Sequence, residues 1–214
     1  MIPLVFHPIY SQLSLPVRHR FPIEKYQAIR NKLAEYAVPD NWFYQPQPLT
    51  INDLKKYFCA DYLSGLLVGT LEPKAMRRIG FPWSEQLIRR TLTAVAGTCL
   101  TARLALEHDK ALNLTGGYHH AFADFGSGFC MLNDLYLAAR TMLETAGIDK
   151  VLIVDCDVHQ GDGTAKLAEN NPDIITLSLH GEQNFPHRKQ ISDMDFPLPK
   201  GTGDDDYLDT LDSA

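Results

Sequence analysis

The sequence predicts an α/β fold, a parallel sheet with helices on both faces. Two observations carry that expectation. Short aliphatic runs alternate with segments of helical periodicity in a βαβαβ rhythm. No linker-like composition, internal repeat or low-complexity stretch interrupts it, so residues 1–214 are expected to form one domain. In chain order, Leu4 to Phe6 reads as a first short strand. Glu24 to Tyr36 places Tyr26, Ile29, Leu33 and Tyr36 at helical spacing and predicts an amphipathic helix. Pro39 to Thr50, rich in proline and aromatics, reads as a loop. Thr50 with Asp53 three residues on is a capping signal for a helix carrying Leu54, Tyr57 and Phe58. Met76 to Ile79, with Arg77 and Arg78, reads as a solvated loop. Ser84 to His108 predicts a long helix whose Ala94, Ala96, Gly97 and Ala102 permit close packing on the sheet. Ala111 to Thr115 is a strand end, and Asn133 to Ala146 is helical. Val151 to Val154 has the composition of a strand buried on both faces. A helix over about Thr164 to Glu169 and a strand over Ile174 to Leu179 follow. The aspartates at 204 to 206 and 209 mark the N-terminal turn of a last helix.

Composition narrows the function classes. Hydrophobic residues make up 45% and charged residues 21%, which suits a globular core. The net charge of −6 leaves no basic footprint for nucleic acid. No apolar run approaches the roughly 20 residues that span a bilayer, and the N-terminus lacks a basic leader region. Cys59, Cys99, Cys130 and Cys156 are widely spaced without a CxxC, which fits free thiols in a reducing cytoplasmic setting. Cys130 and Cys156 read as small buried hydrophobes.

The chemistry concentrates in two segments. Residues 151–164, VLIVDCDVHQGDGT, run from the aliphatic strand into Asp155, Asp157 and His159. In extended backbone, side chains at i, i+2 and i+4 project to the same side. Carboxylate oxygen and imidazole nitrogen are ordinary zinc ligands, and ligands of open α/β sheets bind beyond the carboxyl ends of strands. A metal site is the first expectation. Upstream, GGYHHAFADFGSGFCMLND (116–134) sets His119 and His120 on a glycine-shaped loop after a strand. Paired histidines there suit general acid–base work. A purely structural pair is the alternative reading.

Together GGYHHA, GFCMLND and VDCDVHQGDG, in this order and spacing, resemble the histone deacetylase family, including its bacterial relatives, with an arginase-like α/β fold. The resemblance extends more loosely to HPIYS, HRFPIEKY and SLHGEQNFP, and so to nearly the whole chain. The order Asp-x-Asp-x-His separates it from the arginases themselves, which pair Asp-x-His-x-Asp for two manganese ions. The resemblance implies that Asp157 and His159 are two of three zinc ligands, and that His119 and His120 flank the attacking water. It implies that Asp155 and Asp162 orient those histidines. Asp155, Asp157, His159 and Ser178 would face a potassium ion, and Gly128, Phe129 and Phe185 would line a narrow channel for an acylated lysine-like chain.

The family continues beyond this length and supplies a third zinc-binding aspartate and an oxyanion-binding tyrosine from its later part. No residue after Gly201 matches those motifs, so the chain corresponds to roughly the first two-thirds of the family domain, apparently truncated. The implied reaction is hydrolysis of an acyl group, typically acetyl, from an N-acylated lysine peptide or small amine by metal-activated water. A catalytically silent fragment or acyl-lysine-binding module is the competing class. His19-Arg20 is read as rim, internal channel or solvated loop. His180 and His187 are read as rim histidines, and His7 and His108 have no motif partner.

Overall fold

A computed structural model describes all residues from Met1 to Ala214 and resolves into two compact units, Met1–Ala138 and Ala139–Ala214. No helix is long and apolar enough to cross a membrane.

The first unit is built on three short parallel strands, β1 (Leu4–Val5), β2 (Phe43–Tyr44) and β3 (Leu112–Asn113), in the order β2-β1-β3. Leu4 sits opposite both Phe43 and Leu112. β2 lies inside the stretch expected to be a loop. A two-residue strand has no periodicity of its own, and only the ladder to β1 defines it. Helix α1 (Lys25–Glu35) forms where expected, but its apolar spacing is misleading: Tyr26 is buried, whereas Ile29 is exposed and Tyr36 is 73% exposed. Thr50 and Asp53 do form a capping box, on a helix α2 that ends after one turn (Ile51–Leu54).

Helices α3 (Ala60–Val68) and α4 (Pro73–Ile79) each stop at a glycine in the left-handed region, Gly69 and Gly80. The Arg77-Arg78 segment is therefore helical, with Pro73 at its first turn. The long helix α5 (Glu85–His108) starts where Ser84 Oγ accepts the Leu87 N–H at 3.1 Å. Ala94, Val95, Ala96 and Gly97 are buried, and α5 packs on β1 and β3. Ala94 and Val95 join a core of Phe6, Tyr10, Leu54, Leu63, Leu66, Leu87, Met131 and Leu132.

Helix α6 (Asp134–Leu143) contains the unit boundary. In the second unit, β4 (Val151–Asp155), β5 (Ile174–Gly181) and β6 (Met194–Leu198) are parallel in the order β4-β5-β6. β5 is central and nearly all buried, with α7 (Asp162–Ala168) packed on it. β4 is not buried on both faces. It occupies an edge, and Leu152 (53%) and Val154 (50%) alternate outward. β6, absent from the sequence expectation, tolerates Pro197 because it too is an edge strand. Helix α8 (Asp204–Ser213) opens with the three aspartates at 204–206.

Candidate active site

In the first unit the loop 116–133 has no room for a side chain at Gly126. A Cβ on Gly126 would lie 2.5 Å from the Cys130 carbonyl oxygen. Ser127 and Cys130 exchange backbone hydrogen bonds of 3.0 and 2.8 Å, with positive φ at Gly128 (53°) and Phe129 (68°), which makes a type I′ turn. His119 and His120 lie side by side, ring centroids 4.0 Å apart and tilted by 40°. Both are buried, at 8% and 3% exposure. Two imidazoles in contact offer adjacent nitrogens that can accept and donate protons. Such a pair has the chemistry of a general base and a general acid.

Phe129 is the second functional candidate of this unit, and the structure surrounds it with residues that the sequence did not single out together. Its N–H donates to the Ile79 carbonyl at 2.7 Å. Its ring contacts His19, Phe21 and Phe81 at 5.8, 5.2 and 5.2 Å between centroids. His19 stacks flat on Phe81 (5.4 Å, 7°), and its Nε2 is 2.8 Å from the Gly80 carbonyl oxygen. His19 is thus a fixed part of an aromatic box rather than a solvated loop residue. The HRFP motif was the available signal, but only tertiary contact reveals its partner.

In the second unit Asp155 ends β4, and Asp157 and His159 lie beyond it on a bend rather than on continued strand. Alternating projection does not bring them together. Successive side-chain turns do: Asp155 Oδ1 accepts the Asp157 N–H at 3.0 Å, and Asp157 Oδ1 accepts the His159 N–H at 2.8 Å. The same Asp157 oxygen lies 3.0 Å from His159 Nδ1. Phe185 meets the His159 ring edge-on at 6.1 Å. Asp155 pairs directly with Ser178 across the ladder, and Ser178 is buried, its Oγ 3.1 Å from His180 Nδ1. Asp162 is buried at the first position of α7. No group of three or more His, Cys, Asp and Glu side chains is arranged to hold a metal.

Several other expectations are corrected. His180 is not a rim residue; burial holds its imidazole below the usual range, opposed by the nearby Asp195 carboxylate. Cys130 is buried as expected, but Cys156, just beyond the end of the edge strand β4, is exposed. His7, without a motif partner, caps the turn that follows it, its Nδ1 accepting the Ile9 N–H at 3.0 Å. Asp193 and Asp195 are engaged locally: Asp193 accepts from the Thr176 N–H and hydroxyl, and Asp195 from Gln160 and the Ser192 N–H.

The profile of the histone deacetylase domain matches residues 19–214, and the chain belongs to that family. An uncharacterized protein of Picosynechococcus sp. is 50% identical over 98% of this chain and 70% of its own length. Histone deacetylase 8 of Xenopus laevis is 38% identical over 129 residues, 53% of this chain and 39% of its own. Histone deacetylase 2 of Arabidopsis thaliana is 33% identical over 56% of this chain and 32% of its own. The chain therefore spans about a third of the length of these named deacetylases. Among solved structures, an HDAC homolog from Aquifex aeolicus superposes with a TM-score of 0.79 at 22% identity, covering 98% of this chain and 62% of that one. An HDAC homolog complexed with SAHA gives 0.81 at 24%, with the same coverage. The fold is the arginase/deacetylase-like α/β fold.

Proposed function

We infer that this chain carries part of a zinc-dependent hydrolase that removes an acyl group, typically acetyl, from an N-acylated lysine or a related small amine. The observation that carries the reading is the buried, mutually contacting pair His119–His120 on a glycine-shaped loop, in a chain of the histone deacetylase family. The match over residues 19–214 also supports treating the chain as a single deacetylase domain.

The residues present fit zinc as a partial donor set. Two donors about 2.0–2.1 Å from one tetrahedral ion sit roughly 3.3 Å apart. Asp157 Oδ1 and His159 Nδ1 are 3.0 Å apart, with carboxylate and imidazole chemistry that zinc accepts. Zinc held there would supply Lewis acidity toward the acyl oxygen and the attacking water. One imidazole of the His119–His120 pair takes the proton of that water, and the other supports or protonates the leaving amine. Asp155 and Asp162 are assigned the orientation of those imidazoles. Asp155 and Ser178, adjacent across the β4–β5 ladder, are assigned to potassium. Gly128, Phe129 and Phe185 are assigned to the acyl-lysine channel. Phenyl surfaces enclose a methylene chain without offering it competing hydrogen bonds. The SAHA complex of a structural neighbour supports an acylated-lysine-like substrate.

The test uses protein expressed from its native reading frame, loaded with zinc and given an acetyl-lysine peptide. His120→Ala should lower turnover at least about a hundredfold, the lower range for a general acid–base group. Wild-type turnover in that variant would return the pair to a structural role. Peptide binding without acetate release by the unmutated protein would select the binding-module reading instead.

A further inference from the structure

We propose that Asn133 and Asp134, the two residues that open α6, are positioning residues for the His119–His120 pair, with Arg90 gripping the same segment through Tyr118. The inference rests on the deacylase reading above.

The backbone on either side of the pair is held by these two adjacent side chains. On the N-terminal side, Asp134 Oδ1 accepts the Tyr118 N–H at 2.6 Å. On the C-terminal side, Asn133 Nδ2 donates to the Ala121 carbonyl at 3.2 Å. Only His119 and His120 lie between the anchored residues. A loop fixed at both ends this close to two side chains leaves their backbone little freedom, which acid–base groups require, since small misplacements cost much of the rate.

Each anchor is itself fixed. Asn133 Oδ1 accepts the Tyr136 N–H at 2.9 Å, the hydrogen bond of a helix N-cap. With a donor on one side and an acceptor on the other, the amide has a single satisfying orientation. The Asp134 carboxylate also receives the Thr98 hydroxyl of α5, whose oxygen accepts Asn113 Nδ2 of β3 at 3.0 Å. Both residues are buried. Burial pushes the Asp134 carboxyl up, while its bonds from Thr98 and the Tyr118 amide pull it down. Arg90, fully buried on α5, donates Nη1 to the Tyr118 hydroxyl at 3.1 Å and Nε to the Tyr10 carbonyl at 2.8 Å. The residue before His119 is therefore held at its backbone by an acid and at its ring by a cation. Burying two charged groups costs stability that apolar side chains would not. Their placement around the histidine loop gives that expense a function.

The experiment separates positioning from folding. Asn133→Ser keeps an N-cap oxygen but is too short to reach Ala121, so the helix is retained and one anchor is cut. Asp134→Asn keeps an acceptor for the Tyr118 amide, whereas Asp134→Ala removes it. Zinc-loaded protein from the native reading frame is assayed for kcat, KM and pH profile on an acetyl-lysine peptide. The ¹⁵N shifts of both imidazoles are recorded in parallel. Asn133→Ser and Asp134→Ala should lower kcat at least about tenfold with KM nearly unchanged, a share of what misplacement costs. They should also move the pH profile and the imidazole shifts, and Asp134→Asn should restore most of both. If these variants lose only thermal stability, with kcat per folded molecule and imidazole shifts as in wild type, the proposal is overturned. If the unmutated protein shows no turnover, the deacylase reading fails by itself. The imidazole shifts then decide the frame: displaced in Asn133→Ser they support it, unmoved they overturn it.

Discussion

Gly97 sits in the middle of α5, where alanine would ordinarily be an improvement of about 1 kcal/mol. Here the neighbour decides. A Cβ at Gly97 would lie 2.1 Å from the Tyr10 hydroxyl oxygen, and the next contacts, to Asn113, are at 3.3 Å. Tyr10 is fully buried and packs edge-on against Phe6 and Tyr26 at 5.9 and 6.3 Å, so its ring has nowhere to retreat. Overpacking of this kind costs about 1–3 kcal/mol, and a contact this short belongs at the upper end. Subtracting the propensity gain leaves Gly97→Ala destabilised by about 2 kcal/mol, or roughly 4–8 °C in Tm for a chain of this size. The Tyr10 hydroxyl is buried without a protein hydrogen-bond partner. Tyr10→Phe should therefore be neutral or stabilising alone. Combined with Gly97→Ala, it should recover most of the loss, since the clashing atom is the only one it removes. Thermal and urea melts of the four proteins form a double-mutant cycle. A Gly97→Ala protein that melts above wild type, or a double variant no better than Gly97→Ala, would refute the packing argument.

Three further outcomes are expected. Protein expressed from its native reading frame should hold about one zinc per chain, and Asp157→Ala combined with His159→Ala should abolish it; unchanged zinc by elemental analysis removes both residues from the site. Gly80→Ala places a Cβ 2.9 Å from the Phe129 ring at a φ of +93°, so it should lower Tm and weaken acetyl-lysine peptide affinity together; calorimetry showing neither change counts against the aromatic box. Burial, aided by Arg89, lowers the His7 pKa from 6.5, and its Nδ1 must stay unprotonated to accept the Ile9 N–H. Below pH 6.5 the unfolded chain therefore takes up more protons than the folded one, and this contribution to stability is lost as pH falls toward the lowered folded value. His7→Asn keeps an N-cap acceptor and should flatten that part of the stability–pH curve; an unaltered curve would mean that His7 is not its source.

The candidate site of this chain was legible in local sequence because its residues lie in contiguous motifs. Asp155-x-Asp157-x-His159 leaves one strand, and His119-His120 occupies one glycine-rich loop. Residue type and order alone gather acids, imidazoles and glycines into two short segments, from which the deacetylase-family resemblance is drawn. The same holds for Thr50, whose capping box with Asp53 reaches only three residues along the chain. What escaped was set by partners distant in sequence. β4 looked buried on both faces because its aliphatic composition cannot report that it lies at a sheet edge, which exposes Leu152 and Val154. β2 and β6 exist only through ladders to β1 and β5. Asp157 and His159 meet through side-chain turns rather than strand alternation. Asn133 and Asp134 read as the start of a helix, yet their side chains turn back to Tyr118 and Ala121 more than ten residues earlier. Propensity and spacing are properties of neighbours along the chain, whereas burial, edge position and cross-loop hydrogen bonds depend on which segments fold against one another.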